Sequence, residues 1–277
     1  MNYIDKNDDI LRSLLHYMKG VEPFSKLLSD RVRQRKQWCP FTHEGEGLNY
    51  DCYRGHPAIH NTRNYVQKYA TCCRYLDCNP FTVANIEQAC HELAAPESMH
   101  SFDDFDSVIS RIRSSVAFIE SDATRKLRRF TCIECERLDE AIECLNNYCF
   151  YGSVVMAVSA VEARIMKIIQ QHDKALYQSH FSKATLGQLI QLFDENHYTD
   201  TKFKKLKTKM AEKHKPLVAL LNQYRVFSAH PKTEQISAQI AEAILKLCFT
   251  FMIDVTASPY TAKDLKCADA ISTASVP

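Results

Sequence analysis

Arg225 and His230 are the two residues whose types and spacing best fit chemistry on a phosphate group. Arginine offers phosphate oxygens a fixed, permanently charged fork, and histidine can take and return a proton near neutral pH. In one continuous helix, a separation of five positions would turn the two side chains about 140° apart. Pro231 disfavours helical geometry at His230, so we expect His230 to leave the helix and fold back beside Arg225. The pair could then face one phosphate of RNA, which supplies its own nucleophile in the ribose 2′-hydroxyl.

The elements that would position this pair are helices. Apolar residues recur at helical spacing in two stripes on either side of Gly152, which predicts two helices or one helix broken near that glycine. Thr185 followed by Gln188 is a capping-box pattern that predicts the start of a third helix. Pro216 suits the first turn of the helix that carries Arg225, and a last long helix is expected over residues 234–255. These patterns predict a C-terminal helical bundle.

The N-terminal half gives a less regular pattern. Residues 31–80 lack helical periodicity and contain 5 of the 12 cysteines and 3 of the 11 histidines together with several aromatic and glycine residues, so we predict an irregular, partly stranded segment there. Helical spacing resumes over residues 82–93 and again after Ser101, a predicted N-cap. A polar segment at 120–129 suggests where the N-terminal region ends and the helical bundle begins. The sequence thus predicts an N-terminal region over residues 1–130, a helical bundle over 131–256 and a flexible tail over 257–277.

Composition limits the fold class and the partners. Of 277 residues, 45% are hydrophobic and only 6 are Gly and 9 Pro, which favours a mostly α protein with a buried core. The formal net charge of +2 means that any nucleic-acid binding must depend on local basic patches. The sequence shows neither a signal peptide nor an apolar stretch of about 20 residues, so we expect a cytoplasmic protein without a membrane partner. The 12 cysteines are then expected to be free core thiols or metal ligands.

The predicted bundle resembles the HEPN domain over residues 135–255. HEPN domains begin with a helix, a short break and a second helix with a characteristic glutamate, which residues 138–142 (Leu-Asp-Glu-Ala-Ile) and 158–162 (Val-Ser-Ala-Val-Glu) resemble. A later helix in that family ends in arginine, four to six residues and histidine, similar to Arg225 and His230 here. The resemblance implies a metal-independent endoribonuclease that needs no cofactor, of the kind found in toxins and phage-defence effectors. It also implies a homodimer in which each subunit donates an Arg and a His, and products with a 2′,3′-cyclic phosphate.

The sequence departs from the family pattern at two positions. RNA-cleaving members usually have a polar residue directly after the arginine, and here that residue is Val226. In the toxins controlled by a nucleotidyltransferase antitoxin, a tyrosine follows two positions after the histidine, and Lys232 in its place argues against such a partner. The alternative function is therefore a non-catalytic HEPN-like module for dimerisation or for RNA or nucleotide binding. In that case Arg225 is an ordinary helix-end residue and His230 a loop residue. Glu162 either orients Arg225 or faces solvent.

A cysteine and histidine cluster in the N-terminal half could hold a structural zinc ion. Its best ligand set is Cys39, Cys52, Cys72 and Cys78, although the close Cys-x-x-Cys spacing typical of zinc sites is missing from the cluster. Buried thiols that pack as small hydrophobes are the alternative.

Two basic stretches are candidates for RNA contact. Arg31, Arg33 and Arg35 precede an aromatic residue that could stack on a base. Lys209, Lys213 and Lys215 lie just before the predicted helix of Arg225. Solvated helix faces are the alternative interpretation of both stretches.

Overall fold

The computed structural model of the protein describes residues 57–94, 102–127, 129–194, 196–209, 212–230 and 235–259. These residues are mostly helical and none of them lies in a β-strand, which confirms the mostly α fold class. None of their helices combines the length and the apolar character that crossing a membrane requires. The described residues divide between Arg125 and Lys126 into two compact units.

Ten α-helices follow one another along the described chain. They are α1 (Pro57–Tyr75), α2 (Pro80–Ala94), α3 (Phe102–Leu127), α4 (Cys132–Asn146), α5 (Phe150–His172), α6 (Lys174–Leu176), α7 (Leu186–Ile190), α8 (Thr201–Lys207), α9 (Lys215–Ala229) and α10 (Ala238–Ile253). A π-helical turn, Tyr177–Phe181, follows α6. Short 3₁₀ turns are Gln191–Phe193 after α7, Glu212–His214 before α9 and Val255–Ala257 after α10.

The first unit contains a hairpin of α1 and α2, and α3 follows this hairpin in the sequence. Each helix buries one apolar face, and the buried residues recur at helical spacing. On α1 they include Val66, Tyr69, Ala70 and Cys73, on α2 Val83, Ile86, Ala89, Cys90 and Leu93, and on α3 Val108, Ile109, Ile112 and Ile119. The side chain of Asn79 accepts hydrogen bonds from the Phe81 and Thr82 amides and so caps α2. An ion pair between Arg111 and Glu92 joins α3 to α2.

Helix α1 corrects the prediction of an irregular, partly stranded segment over residues 31–80. Residues 57–75 are helical, whereas residues 31–56 lie outside the described part of the chain. The pattern was missed because the apolar face of α1 includes Tyr69 and Cys73, which are buried as hydrophobes although they look like polar or metal-binding residues in the sequence.

The second unit is arranged around α5. Helices α4, α9 and α10 all pack on α5, which therefore buries residues on more than one face. The buried apolar residues are Val154, Ala157, Val158, Ala160, Val161, Ile165, Ile168 and Ile169. The break between α4 and α5 lies at Asn147–Cys149, and Gly152 is inside α5. The sequence allowed two helices or one helix broken near Gly152; the structure has two helices, and their break lies a few residues before that glycine.

A buried ion pair joins three parts of the second unit. The side chains of Arg164 on α5 and Glu134 on α4 are both fully buried and 2.6 Å apart. The five guanidinium donor positions of Arg164 are all used: two bind the Glu134 carboxylate, and the others bind the carbonyls of Arg129, Met252 and Ala257. This pairing keeps a buried charge satisfied and ties the end of α10 to the α4–α5 hairpin.

The ends of several helices follow the local sequence signals. Thr185 and Gln188 form the predicted capping box at the start of α7, and a proline stands in the first turn of α9. At the other end of the chain, Ala257 is buried and accepts a hydrogen bond from Arg164. Packing therefore continues past residue 256, where the sequence placed the start of a flexible tail, and residues 260–277 lie outside the description.

Candidate active site

Arg225 and Glu162 lie together between α9 and α5. The Arg225 Nη2 is 3.6 Å from a Glu162 carboxylate oxygen, and the two side chains are 31% and 14% exposed. Because both groups are partly shielded from water, their attraction is screened less than that of a surface pair. Glu162 thus restricts the guanidinium to one side of α9 while leaving part of it open to solvent.

His230 is the first residue beyond α9. The helix ends at Ala229, and His230 has φ −133° and ψ 66°, outside helical geometry, with its amide donating to the Val226 carbonyl at 3.0 Å. This agrees with the expected effect of a following proline, although residues 231–234 themselves lie outside the described ranges. The ring of His230 is exposed. Among the described contacts, no hydrogen bond or ion pair joins it to Arg225.

The chain that follows His230 returns to the beginning of α5. The buried residue Ile236 donates its amide to the Tyr151 hydroxyl at 3.4 Å. Tyr151 is about three helical turns before Glu162 on α5. Helix α5 therefore contacts both the arginine side of the site, through Glu162, and the segment after the histidine, through Tyr151.

The remaining predicted RNA contacts are dispersed. Lys213 binds Asp254 at 2.7 Å, Lys215 is 3.6 Å from Asp194, and Lys209 is exposed after α8. Arg31, Arg33 and Arg35 belong to the part of the chain that is not described. Lys213 and Lys215 thus already have carboxylate partners within the second unit.

The proposed zinc ligands are placed only in part. Cys72 is half-buried near the end of α1, and Cys78 is buried in the turn that follows. Cys39 and Cys52 lie outside the described residues. Within the described chain, no group of three or more His, Cys, Asp or Glu side chains is arranged to hold a metal ion.

The buried pair of Arg164 and Glu134, which supports the helix of Glu162, was not predicted from the sequence. One signal was present: Thr131 and Glu134 have capping-box spacing, and the structure shows that box at the start of α4, with the Glu134 carboxylate accepting from the Thr131 amide at 2.7 Å. A second signal was Arg164 itself, a charge within the apolar run of α5. Such a charge needs a buried partner.

Comparisons of the chain with protein-family models, curated proteins and solved structures found no match.

Proposed function

We propose that residues 131–256 form a HEPN-type bundle and that the protein is a metal-independent endoribonuclease, acting as a toxin or phage-defence effector. The observation that supports this most directly is the placement of Arg225 beside Glu162, with His230 released from the end of the same helix. A guanidinium held by a carboxylate and an exposed imidazole are the groups needed to bind a phosphate and move a proton.

In the proposed reaction the ribose 2′-oxygen attacks the adjacent phosphorus and the 5′-oxygen leaves. His230 takes the proton of the 2′-hydroxyl or supplies one to the leaving oxygen, and Arg225 stabilises the negative charge that develops on the phosphate oxygens. Glu162 is a positioning residue because it acts through Arg225. The products are a 2′,3′-cyclic phosphate and a 5′-hydroxyl, and a second subunit contributes its own Arg and His to the site.

The test is RNA cleavage by the purified full chain in excess EDTA, with structured and unstructured RNA as substrates. We expect cleavage by the unmodified protein and its loss, by on the order of 100-fold or more, in both Arg225→Ala and His230→Ala. Matched controls are Arg125→Ala and His91→Ala, exposed residues of the first unit. Absence of cleavage by the unmodified protein, or full activity in both site variants, would overturn the proposal.

Glu162→Gln tests whether Glu162 positions Arg225 or contributes to RNA binding. Removing the carboxylate charge but keeping its shape should lower kcat by roughly three- to tenfold with little change in KM, since the lost ion pair is partly buried. An unchanged kcat would show that Glu162 does not position Arg225.

The second candidate is a non-catalytic module that dimerises or binds RNA or nucleotide. Two exposed apolar residues on α9 favour it: Val226, 46% exposed directly after Arg225, and Leu220, 41% exposed. Exposed apolar side chains suit a protein partner better than a phosphate. RNA binding in a gel-shift experiment, without cleavage under any of the conditions above, would support this candidate.

A further inference from the structure

Two helical hairpins of this protein have cysteines at matching positions of their turns. Cys73 and Cys78 flank the end of α1, and Cys144 and Cys149 flank the end of α4, each pair five positions apart. The pairs lie in different compact units. Neither spacing belongs to the common metal-binding or redox motifs, so the geometry of the turns has to show what each pair can do.

Both turns are Schellman motifs. In the first, the amide of Cys78 binds the Cys73 carbonyl at 3.0 Å, the amide of Asp77 binds the Arg74 carbonyl at 3.2 Å, and Asp77 has φ 56°. This motif brings together the side chains of the residues that begin and end it, and here both are cysteines.

The second turn repeats the same bonds. The amide of Cys149 binds the Cys144 carbonyl at 2.8 Å, the amide of Tyr148 binds the Leu145 carbonyl at 3.1 Å, and Tyr148 has φ 61°. Backbone geometry therefore places the two cysteines of each pair side by side.

The two sulfur atoms of each pair lie near each other. Burial and the neighbouring Cys149 thiol raise the pKa of Cys144, and the Cys78 thiol together with burial raises the pKa of Cys73. Gly152, in the first turn of α5, leaves room for the second pair: a methyl group there would lie 3.0 Å from the Cys149 Sγ and 3.2 Å from the Cys144 Sγ. The two thiols thus lie together in the space that a side chain at position 152 would fill.

The two pairs differ in exposure. Cys73 and Cys78 are 1% and 4% exposed, whereas Cys149 is exposed and Cys144 half-buried. The Cys78 thiol, together with burial, raises the pKa of the Cys73 thiol far above its usual value. Because oxidants react with accessible thiolates, the buried pair is protected and the exposed pair is not.

We propose that Cys144 and Cys149 are a redox modification site that forms a reversible disulfide across the α4–α5 turn when the protein meets a peroxide. The exposed Cys149 thiol loses its proton and attacks a peroxide oxygen, which breaks the O–O bond; the departing hydroxide takes up that proton, so the products are a sulfenic acid and water. The Cys144 thiol then loses its proton and its sulfur attacks the Cys149 sulfur, and the displaced hydroxide takes up that proton to give a second water. Two thiols and one hydrogen peroxide give one disulfide and two waters, and the two sulfurs supply the two electrons.

The experiment uses the reduced full chain, treated with hydrogen peroxide, alkylated after unfolding and mapped by peptide mass spectrometry. We expect a cross-linked peptide containing Cys144 and Cys149, formed at least about tenfold faster than any cross-link between Cys73 and Cys78, and lost on addition of dithiothreitol. The Cys73–Cys78 pair is the internal control, because it has the same turn geometry as the Cys144–Cys149 pair but is buried.

Single variants complete the test. Cys144→Ser and Cys149→Ser should each abolish the cross-link, while Cys135→Ser, which changes another half-buried cysteine of α4, should leave it intact. Overoxidation of Cys149 with Cys144 still alkylated would overturn the proposal, and so would equal oxidation rates for the two pairs. The result is independent of ribonuclease activity, so its failure would not affect the proposed function.

Discussion

At the level of single residues, a hydrogen-bonded chain begins at His214, just before α9. Its Nε2 is 3.0 Å from the Thr256 hydroxyl, which in turn lies 2.8 Å from an Asp254 carboxylate oxygen. Burial lowers the pKa of His214 below 6.5, against the opposing effect of Asp254, and the nearby Lys213 lowers it further. Neutral His214 therefore donates to Thr256, which donates to the carboxylate.

This arrangement predicts a stability that depends on pH. Because the folded-state pKa of His214 is lowered, the unfolded chain binds a proton at a higher pH than the folded chain does. The free energy of unfolding should thus fall as the pH drops below about 6.5, and His214→Gln should reduce that dependence. Burial tends to raise the pKa of Asp254, but donors from Lys213 and Thr256 outweigh it and hold the value at about 2.

Urea unfolding followed between pH about 5 and 8 measures the His214 effect. His172→Gln, which changes a half-buried histidine at the end of α5, is the control and should keep the dependence of the unmodified protein. If His214→Gln shows the same slope as the unmodified protein, the histidine is not held neutral in the fold. The Asp254 contribution belongs to a lower window, from about 3.8 down to about 2.

At the level of helices, replacing glycine by alanine should affect stability differently in α5 and in α7. Alanine normally stabilises a helix relative to glycine by about 0.5–1 kcal/mol. A methyl group at Gly187 in α7 would meet its nearest atoms at 3.7 Å and 3.9 Å, which is ordinary contact. The same group at Gly152 in α5 would press against the sulfurs of Cys144 and Cys149.

We therefore expect Gly187→Ala to raise the free energy of unfolding by up to about 1 kcal/mol. Gly152→Ala should lose this gain or lower stability, because the two thiols must move. Thermal unfolding of both variants under reducing conditions makes the comparison. Equal stabilisation by the two substitutions would mean that the thiols move at no cost.

At the level of the second unit, one buried charge connects distant parts of the chain. Arg164 reaches Glu134 of α4 and the carbonyls of Met252 and Ala257, so the end of α10 is fixed to α5. Glu162 is only two residues from Arg164 on the same helix. The buried pair thus stabilises the helix whose Glu162 pairs with Arg225.

Arg164→Ala should lower the free energy of unfolding of this unit by about 3–5 kcal/mol, because it leaves the Glu134 carboxylate buried without a partner. Lys202→Ala removes an exposed ion pair on α8 and should change the free energy of unfolding by less than about 1 kcal/mol. Chemical denaturation measures the free energy of unfolding of both variants. Combining Arg164→Met with Glu134→Leu should recover part of the loss, and no recovery would show that charge burial is not the cause.

Sequence alone was sufficient where a helix end is decided by neighbouring residues. The capping box at Thr185, the proline in the first turn of α9 and the release of His230 at its end all depend on groups within four positions of one another. Cys144 and Cys149, five positions apart, are also close enough in sequence for a local contact, but only the positive φ of Tyr148 identified the motif that creates it.

Tertiary structure decided the pairings between residues far apart in sequence. Glu162 had two possible orientations on α5, and packing of α9 gave it Arg225, 63 positions later, as its partner. Arg164 and Glu134, and Lys213 and Asp254, meet only because helices from separate segments pack together. Side chains on a helix reach only a turn in each direction, so periodicity can predict which face is buried but not what lies against it.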